Sequence, residues 1–304
     1  MVYDIAIVGA GPAGMTAALY ACRAGKRVLL LEGQSYGGQI VQSRKVENYP
    51  GAPNIGGAEL ADQMMSQLRA VGLSPTSARV TGLCPRDDHY EILTDTEQYL
   101  ARAVILATGV GHRKLGVPGE EALIGRGVSF CATCDGMFFR RREVAVVGGG
   151  NTAVQDALAL SELCAKVYLI HRRDAFRAEE SLMERLRGAE NVEIVTDTVV
   201  TEMKGDMTLK SIMLQNVKTG EVRELAVSGV FEAVGNISQN AAFADTVTLD
   251  EEGYIVTDAD CATLAHGIFA AGDCCRKRVR QLTTATSDGT VAALSAVEYL
   301  ESGR

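Results

Sequence analysis

Cys131 and Cys134 are separated by two residues in Ser129–Arg140, "SFCATCDGMFFR", and Asp135 follows at once. A Cys-x-x-Cys pair can hold a metal, close a structural disulfide or shuttle electrons. Zinc needs four ligands, normally a second Cys or His pair at metal spacing. Cys22, Cys84, Cys164, Cys261, Cys274 and Cys275 supply no second Cys-x-x-Cys, and the adjacent Cys274 and Cys275 are poorly placed to chelate together, so no metal site is expected. A structural disulfide over so short a loop gains little from chain entropy. A redox dithiol is the reading these residues favour. Its reactivity needs a thiolate, stabilised by a helix N-terminus or a nearby positive charge. The sequence places Cys134 at a helix start, just before "DGMFFR". Asp135 there can serve as a helix cap or as a proton donor and acceptor. The other six cysteines read as structural or incidental, a free Cys often serving as a small buried apolar residue.

A redox dithiol needs a source of electrons, and an internal repeat points to one. Asp4–Glu32, "DIAIVGAGPAGMTAALYACRAGKRVLLLE", aligns without gaps on Glu143–His171, "EVAVVGGGNTAVQDALALSELCAKVYLIH". Each copy opens on a run of Val, Ile and Ala like a buried parallel strand, turns on glycines, continues as an Ala/Leu helix and ends in a second apolar run. The turns are Gly9-Ala-Gly11-Pro12-Ala13-Gly14 and Gly148-Gly-Gly150-Asn151-Thr152-Ala153. In a dinucleotide-binding turn the first glycine bends the chain and the second lets the backbone approach a pyrophosphate. The last small residue seats the helix against the strand. One such pattern is weak evidence; two, each in strand–turn–helix context, are strong.

The residue closing each second strand separates the two sites. Glu32 ends the first copy, and a carboxylate there accepts hydrogen bonds from ribose hydroxyls. His171 ends the second and is followed by Arg172, Arg173 and Arg177. Arginines bind a 2′-phosphate through charge-assisted hydrogen bonds, whereas an acid would repel it. The first site is therefore expected to take an unphosphorylated adenosine and the second NADPH.

The elements that must position these residues are legible in outline. The 304 residues suggest about two domains. With 47% hydrophobic and 22% charged residues, a packed core is expected. The net charge of −8 argues against a nucleic-acid or anionic-membrane partner. The N-terminus carries no secretory-signal pattern, and no apolar run reaches the roughly 18 residues of a spanning helix. A cytoplasmic protein with mostly free thiols is expected. Residues 78–107 and 197–235 carry turn-punctuated strand patterns ending in "AVILATG" and "GVFEAVG", read as β-meanders returning to a parallel sheet. "GIFAAGD" (267–273) reads as a further buried strand, and a long helix fits Thr284–Glu301.

Taken in order, "GAGPAG", "ATG" (107–109), "CATCDG" (131–136), "GGGNTA", "HRRDAFRA" (171–178), "AAGD" (270–273) and "RQLTTA" (280–285) resemble the low-molecular-weight thioredoxin reductases over essentially the whole chain. The resemblance implies an α/β protein of two Rossmann-like, three-layer domains, each with a β-meander. An NADPH domain (114–245) carrying the Cys pair would be inserted into a discontinuous FAD domain (1–113 and 246–304), with crossings near Val110–Pro118 and Asn240–Thr246. FAD would lie against Gly9, Gly11, Pro12, Ala13, Gly14, Glu32, Gly33, Gly37, Gly38, Gln39, Asn48, Thr108 and Gly109, then Gly272, Asp273, Arg280, Gln281 and Leu282. NADPH would lie against Gly148, Gly150, Asn151, Thr152, Ala153, His171, Arg172, Arg173 and Arg177. Cys131, Cys134 and Asp135 would be catalytic, with Cys134 nearer the flavin. The implied activity is reduction of thioredoxin or a thioredoxin-like protein by a homodimer, with the insert rotating to alternate NADPH and dithiol at the flavin.

Three features depart from the family pattern: Met137 where an aromatic is common, "GNISQN" (235–240) without a Pro-Asn pair, and the adjacent Cys274 and Cys275. The rival readings on the same scaffold are a FAD-dependent dithiol oxidase and a ferredoxin-dependent reductase. The intact second glycine turn and its arginines argue against both. A NADPH–ferredoxin reductase of similar shape would have no use for the Cys pair, and the flavin-facing motifs argue against a non-enzymatic nucleotide-binding module.

Overall fold

The computed structural model describes every residue except Arg44, Pro53 and Arg304. The chain divides into two compact units, Met1–Gly111 with Ile237–Arg304, and His112–Asn236.

The first unit opens with β1 (Val2–Val8), α1 (Pro12–Arg23) and β2 (Val28–Glu32), followed by α2 (Gly57–Ala70), β3 (Thr76–Ser77), β4 (Val80–Pro85), β5 (Tyr90–Thr94) and β6 (Gln98–Leu106). β1 pairs in parallel with β2 on one side, Ile5 opposite Val28, and with β6 on the other, Ile5 opposite Ala103. β4, β5 and β6 form an antiparallel meander that extends the same sheet. Alternate residues of β1 enter different cores. Ile5 and Ile7 pack with Ala17, Ala18 and the later Ala292 and Ala296, while Ala6 and Val8 pack with Leu29, Leu31, Phe243 and Ile255. Burial on both faces is why these strands read as unbroken apolar runs.

β7 (Val110–His112) leads into the second unit. That unit contains α3 (Glu120–Leu123), β8 (Val128–Ser129), α4 (Ala132–Asp135), β9 (Glu143–Val147), α5 (Asn151–Ser161), β10 (Lys166–Ile170), α6 (Glu180–Arg187) and β11 (Val192–Val195). It continues through β12 (Thr198–Gly205), β13 (Leu209–Asn216), β14 (Val222–Ala226) and β15 (Gly229–Glu232). The parallel sheet has the order β11-β10-β9-β15-β8, and β12–β14 form a separate antiparallel sheet. Val144 and Val146 face Val154, Ala157 and Leu160 of α5, whereas Ala145 and Val147 face Ile212 and Leu214 of the meander. This is the helix–sheet–meander layering expected from the sequence.

β16 (Asn236–Ser238) pairs with β7, and the chain then completes the first unit with β17 (Ile268–Ala270) beside β6 and α7 (Leu282–Ser302). The second crossing thus falls earlier than the expected Asn240–Thr246. Residues 237–245 belong to the first unit because Asn240, fully buried, accepts from Thr108 Oγ1 at 2.8 Å and donates to the carbonyls of Gly253 (2.9 Å) and Cys274 (3.0 Å). Phe243 is buried in that unit's core. Among the described residues no helix is long and apolar enough to cross a membrane.

Candidate functional site

Cys131 and Cys134 form a disulfide with their Cα atoms 5.3 Å apart. The helix begins earlier than the sequence suggested: Cys131 is the N-cap of α4, and its Sγ accepts from the Cys134 amide at 3.2 Å. Cys134 therefore sits inside the turn and not at its start, because the sulfur of Cys131 supplies the capping acceptor. Asp135 closes the helix, and its Oδ2 accepts from Ser129 Oγ at 2.6 Å. Burial pushes the Asp135 carboxyl up, and the Ser129 hydrogen bond partly offsets this. An acid so placed can hold a proton within a few residues of both sulfurs.

The first glycine turn is shaped by close backbone approach. Gly9 has φ +106°, and a Cβ on Gly14 would lie 1.8 Å from the Gly9 oxygen, so strand and helix can meet there only through glycine. At Gly11 a Cβ would meet nothing nearer than Gly38 Cα at 4.0 Å, which leaves the turn open where a pyrophosphate would approach. Pro12 is the first residue of α1, and Ala13 abuts Gly272. Glu32 is oriented by two amides, Ala10 N at 2.7 Å and Gln34 N at 2.8 Å. Gly33 lies on the surface against Arg79. Gly37 donates to the Ala10 carbonyl at 2.8 Å, which sets Gly38 beside Gly11, and the Gln39 amide donates to the Val110 carbonyl. Asn48 Nδ2 donates to Gln281 Oε1 at 3.2 Å. Thr108 is tied to Asn240, and Gly109 takes φ +65°. These sequence-distant residues meet within one unit, around the turn and the start of α7.

Asp273 is the clearest sign of a ligand there. Its Oδ1 is buried without a hydrogen-bond partner, and burial pushes its carboxyl up against the pull of Lys277 and Arg280. An orphaned buried acceptor beside an open glycine turn fits a ligand hydroxyl. Arg280 instead organises its own loop. It donates to the carbonyls of Asp273, Cys275 and Lys277 and lies 4.2 Å over the Tyr254 ring. Leu282 begins α7 and packs against Val46, Ile55 and Leu60.

In the second unit Gly148 lies where a Cβ would be 2.5 Å from the Ala233 oxygen, with Ala153 alongside, while Gly150 faces open space. Thr152 is exposed in the first turn of α5. Asn151 exchanges two hydrogen bonds with Glu179, at 3.0 and 2.8 Å. Arg172, Arg173 and Arg177 are exposed, and no described residue forms an ion pair with them. His171 differs from its neighbours. It is 8% exposed, its ring fills the space over Gly149, and its Nε2 lies 3.2 Å from the Ala175 carbonyl. Burial, then the three arginines, hold its pKa below the ordinary histidine value. His171 therefore shapes the arginine loop from beneath and is not presented to solvent with the guanidinium groups. Gly149 completes this arrangement by accepting from the Arg177 amide at 2.8 Å.

Sequence reasoning did not single out Ser129, Gly149, Glu179, Asn240 or Asp288. Asp288 Oδ2 accepts from the Gly272 amide at 3.0 Å and from Lys277, which fixes the turn before Asp273. Gly149, inside the glycine turn, was the one with a local signal; the others act through partners remote in sequence. Cys274 and Cys275 are buried, and Cys274 Sγ donates to the carbonyls of Leu106 and Ala271. Their thiols serve packing, as buried cysteines commonly do.

The pyridine nucleotide-disulphide oxidoreductase family model matches residues 3–289. A thioredoxin reductase of Treponema pallidum is 46% identical over 300 residues, covering 98% of this chain and 97% of its own. A thioredoxin reductase of Listeria innocua is 44% identical over 301 residues, covering 99% and 94%. The solved structure of thioredoxin reductase from Streptococcus pyogenes matches with a TM-score of 0.95 at 42% identity, covering 99% of both chains. The chain belongs to the pyridine nucleotide-disulphide oxidoreductases and, within them, to the thioredoxin reductase family. Membership makes it an oxidoreductase that uses a flavin and a nicotinamide nucleotide.

Proposed function

We propose that this protein reduces the disulfide of thioredoxin, or of a thioredoxin-like protein, with NADPH, through FAD and the Cys131–Cys134 pair. The observation that carries the reading is that disulfide, placed in the same unit as an open glycine turn flanked by three unpaired arginines. FAD fits the first unit, where Glu32 is preset for ribose and Asp273 offers an orphaned acceptor. NADPH fits the second, with the arginines for a 2′-phosphate. Bound FAD would supply two-electron transfer between nicotinamide and the disulfide.

The residues of the chain do the rest. Gly11 and Gly150 leave room for the pyrophosphates, and the helix N-termini behind them favour the negative charge. Asp135 holds the proton that a thiolate of the reduced pair takes up, and Ser129 keeps its carboxyl in place. The dithiol then exchanges with the substrate disulfide through a mixed disulfide. Overall, NADPH and one proton convert one protein disulfide to a dithiol and NADP⁺. Rotation of the inserted unit about the two crossings would bring nicotinamide and dithiol to the flavin in turn. We place the enzyme in the cytoplasm as a homodimer.

Steady-state turnover tests the reading. NADPH oxidation that requires added oxidised thioredoxin, and is lost in Cys134→Ser, supports it. Turnover driven only by reduced ferredoxin refutes the NADPH assignment.

A further inference from the structure

Glu232 ends β15 with 5% of its surface exposed, and neither carboxylate oxygen meets a hydrogen-bond donor among the described residues. The nearest charged group acting on it is Glu120, itself 3% exposed, whose carboxylate opposes its ionisation. Glu120 is already engaged. Its Oε1 accepts from the Leu115 amide at 3.1 Å, and its Oε2 from the amides of Gly116 at 2.6 Å and Val117 at 3.0 Å. Two carboxylates cannot both stay charged in a buried contact. Three amides stabilise the charge on Glu120, so the proton belongs on Glu232, whose O–H then becomes the donor the contact lacks. Burial first, then the Glu120 charge, push the Glu232 carboxyl up to about 8.

The place of this pair in the chain gives it a role. Residues 115–117 follow the first crossing, between Gly111 and His112, by a few positions, and Glu232 stands four residues before the second unit ends at Asn236. The same segments are joined by Arg113 N to the Gly235 carbonyl at 2.9 Å and by His112 Nδ1 to Asn236 Oδ1 at 3.0 Å. All of these contacts lie within the second unit. We infer that Glu232 and Glu120 are positioning residues that share one proton and fasten the chain just after the first crossing to the chain just before the second. In its consequence for turnover the inference rests on the reductase reading; the clasp itself does not.

The groups facing Glu232 are few. α3 contributes Glu120, and the first crossing contributes Lys114 and the Leu115 amide. Lys114 is committed to Glu121 at 2.6 Å. Strand alternation puts Glu232 on the face of Val230, whose cluster with β9 and the meander is apolar through Val147, Met203 and Leu214. Among the described residues, Lys114 is the cation that acts on Glu232, and none from those strands joins it. Ionisation of Glu232 would remove the donor and set two carboxylates against each other, loosening Leu115–Val117.

Hydrogen exchange on the full chain tests this, read on a peptide spanning residues 113–120 between pH 6.5 and 9.5 and corrected for intrinsic rates. The wild type should lose about tenfold protection across the transition. Glu232→Gln, whose amide still donates to Glu120, should hold its protection flat. Its kcat should lose the same alkaline step, with KM for NADPH unchanged. Equal pH dependence in the two proteins, or none in the wild type, overturns the proposal. A ¹³C titration of Glu232 in the wild type is an independent check: a midpoint near 8 supports the shared proton, and one near 4.5 overturns it. Absence of reductase activity would refute the functional reading while the exchange result still decides the clasp.

Discussion

Ser129 Oγ donates to Asp135 Oδ2 at 2.6 Å across the Cys-x-x-Cys turn. This couples strand β8 to the only acid in the first turn of the redox helix. Burial raises the carboxyl and the serine opposes that rise. Ser129→Ala should therefore move the Asp135-dependent limb of the kcat profile to higher pH. Asp135→Asn should lower kcat about 10²- to 10³-fold while leaving the flavin spectrum intact. The sign also applies to stability. A carboxyl raised in the folded state contributes most below its unfolded pKa, and that contribution is lost as pH rises through the folded value. Asp135→Asn should flatten that part of the unfolding free energy measured against pH.

Arg172, Arg173 and Arg177 are solvent-facing and not committed to carboxylates. Charge-assisted hydrogen bonds to a phosphate are worth about 1.5–3 kcal/mol each. The Arg172→Ala and Arg177→Ala variants should each raise KM for NADPH roughly 10- to 100-fold. kcat, and KM for NADH, should change little. Equal losses with both nucleotides would place the arginines outside the 2′-phosphate site.

Gly149 supports the same site from beneath. A Cβ there would lie 2.2 Å from His171 Cε1, and the His171 ring packs against Phe176 with centroids 4.9 Å apart. Gly149→Ala should destabilise the protein by about 1–3 kcal/mol, measured by denaturant unfolding, and weaken NADPH binding. Flavin content should be unchanged.

Asp273 should show opposite effects in the two forms of the protein. Its buried, unpartnered Oδ1 is costly without a ligand. Asp273→Ala should raise the melting temperature of the flavin-free protein by a few degrees, and should lower the fraction of purified protein that retains FAD. Thermal melts of both forms with measured flavin occupancy check both signs.

The repeat was legible because its physics is local. Strands buried on both faces stay apolar, and Gly14 stays glycine because a backbone oxygen occupies the Cβ position. The placement of Glu32 was legible because it ends β2, while the arginines follow β10 within a few residues. Three features were not. His171 reads as a nucleotide contact beside Arg172, yet its ring turns inward over Gly149. The crossing was expected near Asn240–Thr246, yet Asn240 bonds to residues more than a hundred positions upstream and 34 downstream. Glu232 is a lone acid in an apolar strand, and nothing nearby in sequence shows that it meets Glu120. Each depends on a long-range contact that spacing does not encode.

The central claim is a relay from NADPH through a flavin to Cys131–Cys134, and an anaerobic titration with NADPH followed by visible absorbance tests it most directly. The oxidised flavin band should bleach with uptake beyond one equivalent, the excess being lost in Cys131→Ser and in Cys134→Ser. A flavin that stays oxidised with NADPH, yet reduces with ferredoxin or a small dithiol, would contradict it.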